Sequence, residues 1–156
     1  MHRVEKWLQS AVIMAWTDQV RGTDAARNGN RVIMTPKWNC YLDYAQTSEP
    51  EKLEPIGPTR YLSMRQVYRL DPYDRLKPKE YENILGIQGN VWTEYIADFE
   101  HLQKMALPRM AAIAEVAWAY DRKDYDDFEI RAKRLLPTLY KNAGFKFARF
   151  FFLNIE

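Results

Sequence analysis

The sequence predicts an α/β fold built from parallel strand–helix units. Three short apolar segments, at 11–16, 31–36 and 84–92, are predicted strands, and the first two are separated by a stretch with helical features. Continuous apolar runs are typical of parallel strands covered on both faces, and alternation with helices favours βα units. Three strands cannot close a barrel, which needs eight units and about 250 residues. The 156 residues therefore form either a small open sheet or part of a larger fold.

The predicted strands differ in how clearly they are bounded. Ala11–Trp16 is apolar throughout, and Arg31–Pro36 ends at a proline, which cannot donate a ladder hydrogen bond. Between them, 23–28 reads as a short helix that the Asn28-Gly29 pair terminates. The third strand, Ile84–Trp92, contains two glycines, which weaken a strand.

The predicted helices lie mostly in the second half of the chain. The long link 35–83 is expected to hold short helices such as Ser63–Tyr68, with Ser63 as its N-cap. Residues 98–119 read as an amphipathic helix interrupted at Pro108. The last predicted helix is Tyr125–Asn142, and its apolar positions are Phe128, Leu135, Leu136 and Leu139.

Composition and charge exclude several classes of protein. Hydrophobic residues make up 47% and charged residues 28%, which is typical of a folded globular domain. The net charge is only +2 without a basic run, so we expect no nucleic-acid partner, and no stretch reaches the roughly 18 apolar residues of a membrane span. Met1–Ser10 lacks the apolar core of a secretory signal. Cys40 is the single cysteine, and His2 and His101 lack a metal or triad pattern, so no cofactor or metal is expected.

Four motifs occur in a fixed order and cover most of the chain. Together they resemble the last three βα units of glycoside hydrolase family 20, the β-N-acetylhexosaminidases, over about 11–147. The resemblance implies a partial TIM-type (β/α) barrel: the last three βα units plus C-terminal helices, with 1–156 as a single incomplete domain. The motifs are Val12–Trp16; Val32–Pro36 running into Cys40–Tyr44; Leu85–Glu94; and Leu107–Trp118.

The resemblance also implies a reaction and a site. In this family the substrate's own acetamide oxygen attacks the anomeric carbon, in an exo-acting, retaining cleavage of terminal GlcNAc or GalNAc. Tyr41 is the implied catalytic residue, because its phenol can donate a hydrogen bond to the acetamide oxygen. The implied sugar-binding residues are Trp16 and Trp92, as walls of the acetamide pocket, and Asp43 and Glu94, as ligands of sugar hydroxyls.

The i, i+2 spacing of Tyr41 with Asp43, and of Trp92 with Glu94, points each pair the same way if the segments are extended. Singly, each residue has a plainer interpretation, a core tryptophan or a solvated acid, so only the joint pattern indicates a site. Trp38 is a weaker candidate. The sequence also departs from the family: no adjacent Asp-Glu pair occurs, and Pro50–Asp71 lacks the usual pocket tryptophan, which Tyr61 could replace.

Two residues of the last motif are expected to be structural. Arg109 is expected to form an ion pair, for instance with Glu115, and Trp118 is expected to lie in the core.

Three functional hypotheses follow. The first is an inactive C-terminal part of an exo-β-N-acetylhexosaminidase, and the second is a non-catalytic half-barrel with weak sugar binding or an assembly role. The third, an independent enzyme with Asp43 and Glu94 as its acid and base, ranks last, since nothing in the sequence suggests a raised pKa for either. Open barrel edges predict self-association, with Phe150–Phe152 as a candidate contributor. The family resemblance suggests a periplasmic, secreted or lysosomal parent.

Overall fold

A computed structural model of the chain describes residue 8, residues 10–48, residue 54 and residues 60–152. His2 and nearly all of the segment Met1–Ser10 lie outside the described residues. The chain divides into two compact units, the first drawn from 1–37 and 71–88 and the second from 38–70 and 89–156.

The first unit contains a parallel sheet of three strands in the order β1–β2–β3, which confirms the predicted strand type. The strands are β1 (Val12–Ala15), β2 (Arg31–Met34) and β3 (Ile84–Ile87). The predicted end of the third strand at Trp92 is wrong. The Gln88 N–H still bonds to the Met34 carbonyl at 3.0 Å, but the backbone of Asn90 pairs with residues 40 and 42 instead of with β2.

One face of this sheet is covered by helix α1 (Gln19–Arg27), which begins earlier than predicted because the Asp18 side chain accepts a hydrogen bond from the Arg21 N–H. Gly22 permits the close approach, since a Cβ there would lie 2.6 Å from Met34 Sδ. The opposite face leaves Val12 and Met14 about half exposed. The core under α1 comprises Ala15, Ala25, Ala26, Val32, Met34, Leu76 and Ile84.

The other predicted helices match their predicted positions well, while α2 had no predicted position. Ser63 caps α3 in a reciprocal capping box with Gln66, and the predicted break at Pro108 separates α4 from α5, with a cis Leu107–Pro108 bond. The bounds are α2 (Lys37–Cys40), α3 (Met64–Tyr68), α4 (Phe99–Ala106), α5 (Arg109–Trp118) and α6 (Tyr125–Asn142), with 3₁₀ turns at Pro78–Asn83, Tyr120–Arg122 and Phe150–Phe152.

Two expectations about buried side chains are wrong. Trp118, expected in the core, is 89% exposed. On α6, Leu135 and Leu139 are exposed, because the helix buries the stripe of Phe128, Ala132 and Tyr140, spaced by multiples of four residues. None of the helices in the described part of the chain is long and apolar enough to cross a bilayer.

Candidate active site

An open cleft of about 460 Å³ in the second unit brings together four of the five predicted site residues. The cleft is lined by Tyr41, Asp43, Tyr44, Trp92, Glu94 and Tyr95. Tyr44 and Tyr95 were not predicted. Tyr44 directly follows Asp43, and Tyr95 directly follows Glu94. Strict alternation along a strand would point both tyrosines away from the site. Residues 42–43 and 94–95 form turns instead, so that alternation does not hold.

A short parallel bridge between Tyr41 and Asn90 joins the two motifs that supply the cleft. The Leu42 N–H donates to the Asn90 carbonyl at 2.7 Å, and the Asn90 N–H donates to the Cys40 carbonyl at 2.8 Å. Because the pairing is parallel, Asp43 and Trp92 each follow the bridge by two residues and come side by side. Residues about fifty positions apart in sequence thereby share one cleft.

Tyr41 forms a buried part of the cleft and is only 8% exposed. Its ring lies edge-on to Trp92, with 5.7 Å between centroids, and to Tyr44, with 5.6 Å. Burial raises the pKa of the Tyr41 phenol, while a hydrogen bond from the Trp92 side chain acts in the opposite direction. The phenol therefore stays protonated at neutral pH and is able to donate a hydrogen bond.

Asp43 is a buried carboxylate, 6% exposed, and its Oδ1 has no hydrogen-bond partner among the described residues. Burial raises its pKa, whereas the backbone N–H groups of Asp43 and Trp92 and the charge of Arg109 lower it, and Glu94 raises it further. A buried acid with an unsatisfied oxygen is costly to keep, and its place in a cleft makes Asp43 a candidate functional residue. The sequence alone does not predict the raised pKa of Asp43, because the shift depends on burial in the folded chain.

The rim of the cleft is formed by exposed side chains. Trp92 is 48% exposed and Tyr95 is 55% exposed, and Glu94 lies exposed between them in sequence. Flat rings present apolar faces, and a carboxylate accepts hydrogen bonds from hydroxyl groups. A polar ring-shaped ligand with one apolar face, such as a sugar, matches this combination of groups.

The remaining sequence candidates are not among the residues that line this cleft. Trp16 follows β1 in the first unit, where its ring is 54% exposed, so it is not a core residue. Trp38 is half exposed, and the Arg60 guanidinium lies over its ring at 4.9 Å from the centroid. Tyr61 lines a separate cavity, with Ser63 and Arg65, and not the cleft.

The expected ion pair between Arg109 and Glu115 is wrong. Glu115 instead accepts hydrogen bonds from the Arg131 guanidinium at 2.6 and 2.9 Å and from the Tyr68 hydroxyl at 3.1 Å. Arg109 is buried and donates to main-chain carbonyls. The described residues contain no group of three or more His, Cys, Asp or Glu side chains suited to hold a metal ion.

Residues 1–121 match the protein family described as "Glycosyl hydrolase family 20, catalytic domain". The chain belongs to glycosyl hydrolase family 20. Within the family, it is 36% identical over 122 residues to the beta-hexosaminidase of Porphyromonas gingivalis, an alignment that covers 76% of this chain and 15% of the relative. The predicted family resemblance is thus confirmed.

Solved structures of family-20 enzymes have a similar fold. The β-N-acetylhexosaminidase of Streptomyces coelicolor A3(2) superposes with a TM-score of 0.77 at 27% identity, over 92% of this chain and 30% of that one. The exo β-N-acetylglucosaminidase of Vibrio harveyi, in complex with N-acetylglucosamine, gives 0.76 at 28% identity, over 87% and 21%. This family-20 chain therefore spans less than a third of the length of these relatives. Its parallel sheet is consistent with part of a barrel.

Proposed function

We propose that the chain is the C-terminal part of the catalytic barrel of an exo-acting β-N-acetylhexosaminidase, which removes terminal GlcNAc or GalNAc. The observation that carries the proposal is the cleft in which Tyr41, Asp43, Trp92 and Glu94 meet, in a chain that belongs to family 20. A relative of similar fold was solved in complex with N-acetylglucosamine, which supports this class of ligand.

In the proposed reaction, the carbonyl oxygen of the substrate's 2-acetamido group attacks the anomeric carbon as the glycosidic C–O bond breaks and the leaving oxygen departs, so no protein nucleophile is needed. The protonated Tyr41 phenol donates a hydrogen bond to that oxygen and holds it in line for attack. Trp92, whose ring stands edge-on to Tyr41, forms a wall of the acetamide pocket. Trp16 stays a proposed further wall on the family resemblance alone.

The two carboxylates of the cleft have the proposed role of holding sugar hydroxyls. Asp43 has an unpartnered oxygen among the described residues, and Glu94 lies exposed on the rim. Hydrogen bonds to a charged acceptor contribute about 1.5–3 kcal/mol each. Two such acceptors fix the orientation of the sugar in the cleft.

The chain alone is expected to be inactive, because the sequence contains no adjacent Asp-Glu pair to polarise the acetamide and protonate the leaving oxygen. A positioned general acid supplies about 10²–10⁴-fold in rate. Incubation of the purified chain with an aryl N-acetylglucosaminide should therefore release no aryl alcohol above background. Turnover at the rate of an ordinary exo-glycosidase, abolished by Glu94→Gln, would show that Glu94 is the acid and that this assignment is mistaken.

Sugar binding by the full chain tests the site independently of hydrolysis. We expect N-acetylglucosamine to give saturation-transfer NMR signals, and Tyr41→Phe and Trp92→Ala each to weaken binding about tenfold, the scale of one lost hydrogen bond or ring contact. Tyr140→Phe is the matched control for a buried tyrosine, and Trp118→Ala is the control for an exposed tryptophan. Equal losses in site and control variants would contradict the proposed site.

The second proposed function is assembly, and one observation favours it. In the first unit Val12 and Met14 are exposed on the face of the sheet away from α1, and β1 and β3 are the outer strands of that sheet. Covering apolar surface stabilises a complex by about 25 cal/mol per Å². We expect a two-fold dimer that covers this face, with Phe150–Phe152 as a candidate contributor.

Sedimentation equilibrium at micromolar concentration measures this self-association. Met14→Glu should shift the chain to monomer, since a carboxylate on the covered face would be buried without a partner. Ile130→Glu, on an exposed position of α6, is the matched control and should leave the association unchanged. A cooperatively folding wild-type monomer would refute the expected dimer.

A further inference from the structure

A buried arginine bonds to the backbone that carries Tyr41 and Asp43. Arg109, the first residue of α5, is 1% exposed. Its Nη1 donates to the carbonyls of Tyr44 and Leu62 at 2.8 and 2.9 Å. Its Nη2 donates to the carbonyls of Leu42 and Met105 at 2.5 and 2.7 Å. The four N–H groups of the two terminal nitrogens are thus all used, and each meets a different main-chain oxygen.

Only arginine can make this set of contacts. Its planar guanidinium holds five N–H donors in a fixed fork, whereas lysine has three donors on one rotating nitrogen. The acceptors come from three separate parts of the chain: the turn after Tyr41, the residue before Ser63, and the end of α4. Buried carbonyls that lose such partners cost free energy comparable to a lost hydrogen bond.

Two of the four bonds act directly on the candidate site. The Leu42 carbonyl lies between Tyr41 and Asp43, and the Tyr44 carbonyl follows Asp43. This segment is a turn between two isolated bridges, at Tyr41 and at Ala45, and between them it lacks the ladder of hydrogen bonds that would hold a strand in place. Arg109 therefore holds the Leu42–Asp43 peptide group, directly before Asp43, and the Tyr44–Ala45 peptide group, one residue beyond it.

We propose that Arg109 is a positioning residue for the sugar site, because its guanidinium holds the 41–44 turn so that Tyr41 and Asp43 face the ligand. The inference rests on the proposed function of the cleft. Arg109 does not line the cleft, so its effect on the ligand passes through the backbone and through its charge.

The positive charge of Arg109 has a second effect on the site, which can be separated from the effect of its hydrogen bonds. The pKa of Arg109 is lowered to about 9, because burial outweighs the opposing charges of Glu54 and Asp43. The guanidinium therefore remains cationic at neutral pH. That cation lowers the pKa of Asp43 against the effects of burial and of Glu94. Tyr41 and Tyr44 also interact with Asp43, and both stay neutral at neutral pH because burial raises the pKa of each. Loss of the cation should therefore raise the pKa of Asp43 further.

Three variants of the full chain separate these effects. Arg109→Lys keeps the charge and loses the fork, whereas Arg109→Met loses both. Arg131→Lys is the control, since Arg131 also makes several hydrogen bonds, but to the Glu115 and Asp127 side chains. Hydrogen–deuterium exchange of segments 41–46 and 61–63 reports on the turn, with 125–142 as the reference. N-acetylglucosamine affinity is measured by NMR titration from pH 4 to pH 8.

We expect exchange in the turn to rise about tenfold in both Arg109 variants while 125–142 keeps its protection, and affinity to fall at least tenfold. In Arg109→Met, the pH at which residual binding is half lost should also move upward, whereas in Arg109→Lys it should stay in place. Arg131→Lys should alter neither the turn nor the binding.

Two results would overturn the positioning role: wild-type exchange and affinity in Arg109→Lys, or a rise in exchange that includes 125–142 equally. If the wild-type chain binds no sugar, the proposed function fails, while the exchange data still decide whether Arg109 holds the turn. If Arg109→Met does not fold, Arg109→Lys carries the test alone.

Discussion

Replacing Asp43 with asparagine should stabilise the chain at neutral pH while it weakens sugar binding. The carboxylate is 6% exposed, and its Oδ1 lacks a hydrogen-bond partner among the described residues. Burial is the largest influence on its pKa and raises it despite the opposing charge of Arg109. The ionised form is therefore less favourable in the folded chain than in the unfolded chain.

The size of the gain follows from competing effects. A buried, unsatisfied polar group costs about 1–3 kcal/mol, and the substitution removes its charge. Against this, hydrogen bonds from the backbone to a charged acceptor are stronger by roughly 1 kcal/mol than those to an amide. The net expectation is a gain of about 1 kcal/mol in the free energy of unfolding, or about 2–4 °C in Tm.

Urea unfolding followed by circular dichroism, at pH 7 and at lower pH, measures this difference. Because the folded pKa of Asp43 is raised, proton binding stabilises the wild type as pH falls through that pKa towards the ordinary value of about 3.9. The advantage of Asp43→Asn should therefore shrink across that window. Asp127→Asn, which removes an exposed partner of Arg131, is the control and should cost at most about 1 kcal/mol. A loss of stability in Asp43→Asn at pH 7 would refute the reasoning.

Two further predictions concern the core. In Gly22→Ala, the new Cβ would meet the Ala15 Cβ at 2.7 Å. The substitution should lower the free energy of unfolding by about 1 kcal/mol, because overpacking costs about 1–3 kcal/mol and the gain in helix propensity is only about 0.5–1 kcal/mol. Urea unfolding checks this, with the exposed Val20→Ala on the same helix as a near-neutral control, and equal stability of the two variants would contradict it. Cys40 should resist a thiol reagent in the native chain and react fully in denaturant, because it is fully buried and burial raises its pKa to about 12. Rapid native labelling at pH 8 would count against this.

The residues of the candidate site were predicted from the family motifs. The supporting argument from their i, i+2 spacing holds only in part. Tyr41, Asp43, Trp92 and Glu94 do share one cleft, but residues 42–43 and 94–95 form turns, not extended strand. The i, i+2 rule consequently missed Tyr44 and Tyr95. The catalytic role of Tyr41 and the binding roles of Asp43, Trp92 and Glu94 stay predictions, since convergence in a cleft does not by itself measure binding.

Arg109 shows why some contacts escape a sequence-based prediction. An arginine at the start of an amphipathic helix is usually a solvated or ion-paired residue. Here its acceptors are main-chain carbonyls, and three of them lie more than forty positions away in sequence. Every residue has the same main-chain carbonyl, so no side-chain pattern in the sequence predicts which carbonyls an arginine will contact.

The sequence by itself determined three parallel strands, the start of α3 at its capping box, the break at Pro108 and the bounds of α6. Apolar runs, caps and prolines act within a few residues, so their effects can be read locally. Only the tertiary structure decided where the third strand ends, which stripe of α6 is buried and why the pKa of Asp43 is raised. These features depend on partners brought together from distant parts of the chain, because burial and long-range hydrogen bonds exist only once the chain has folded.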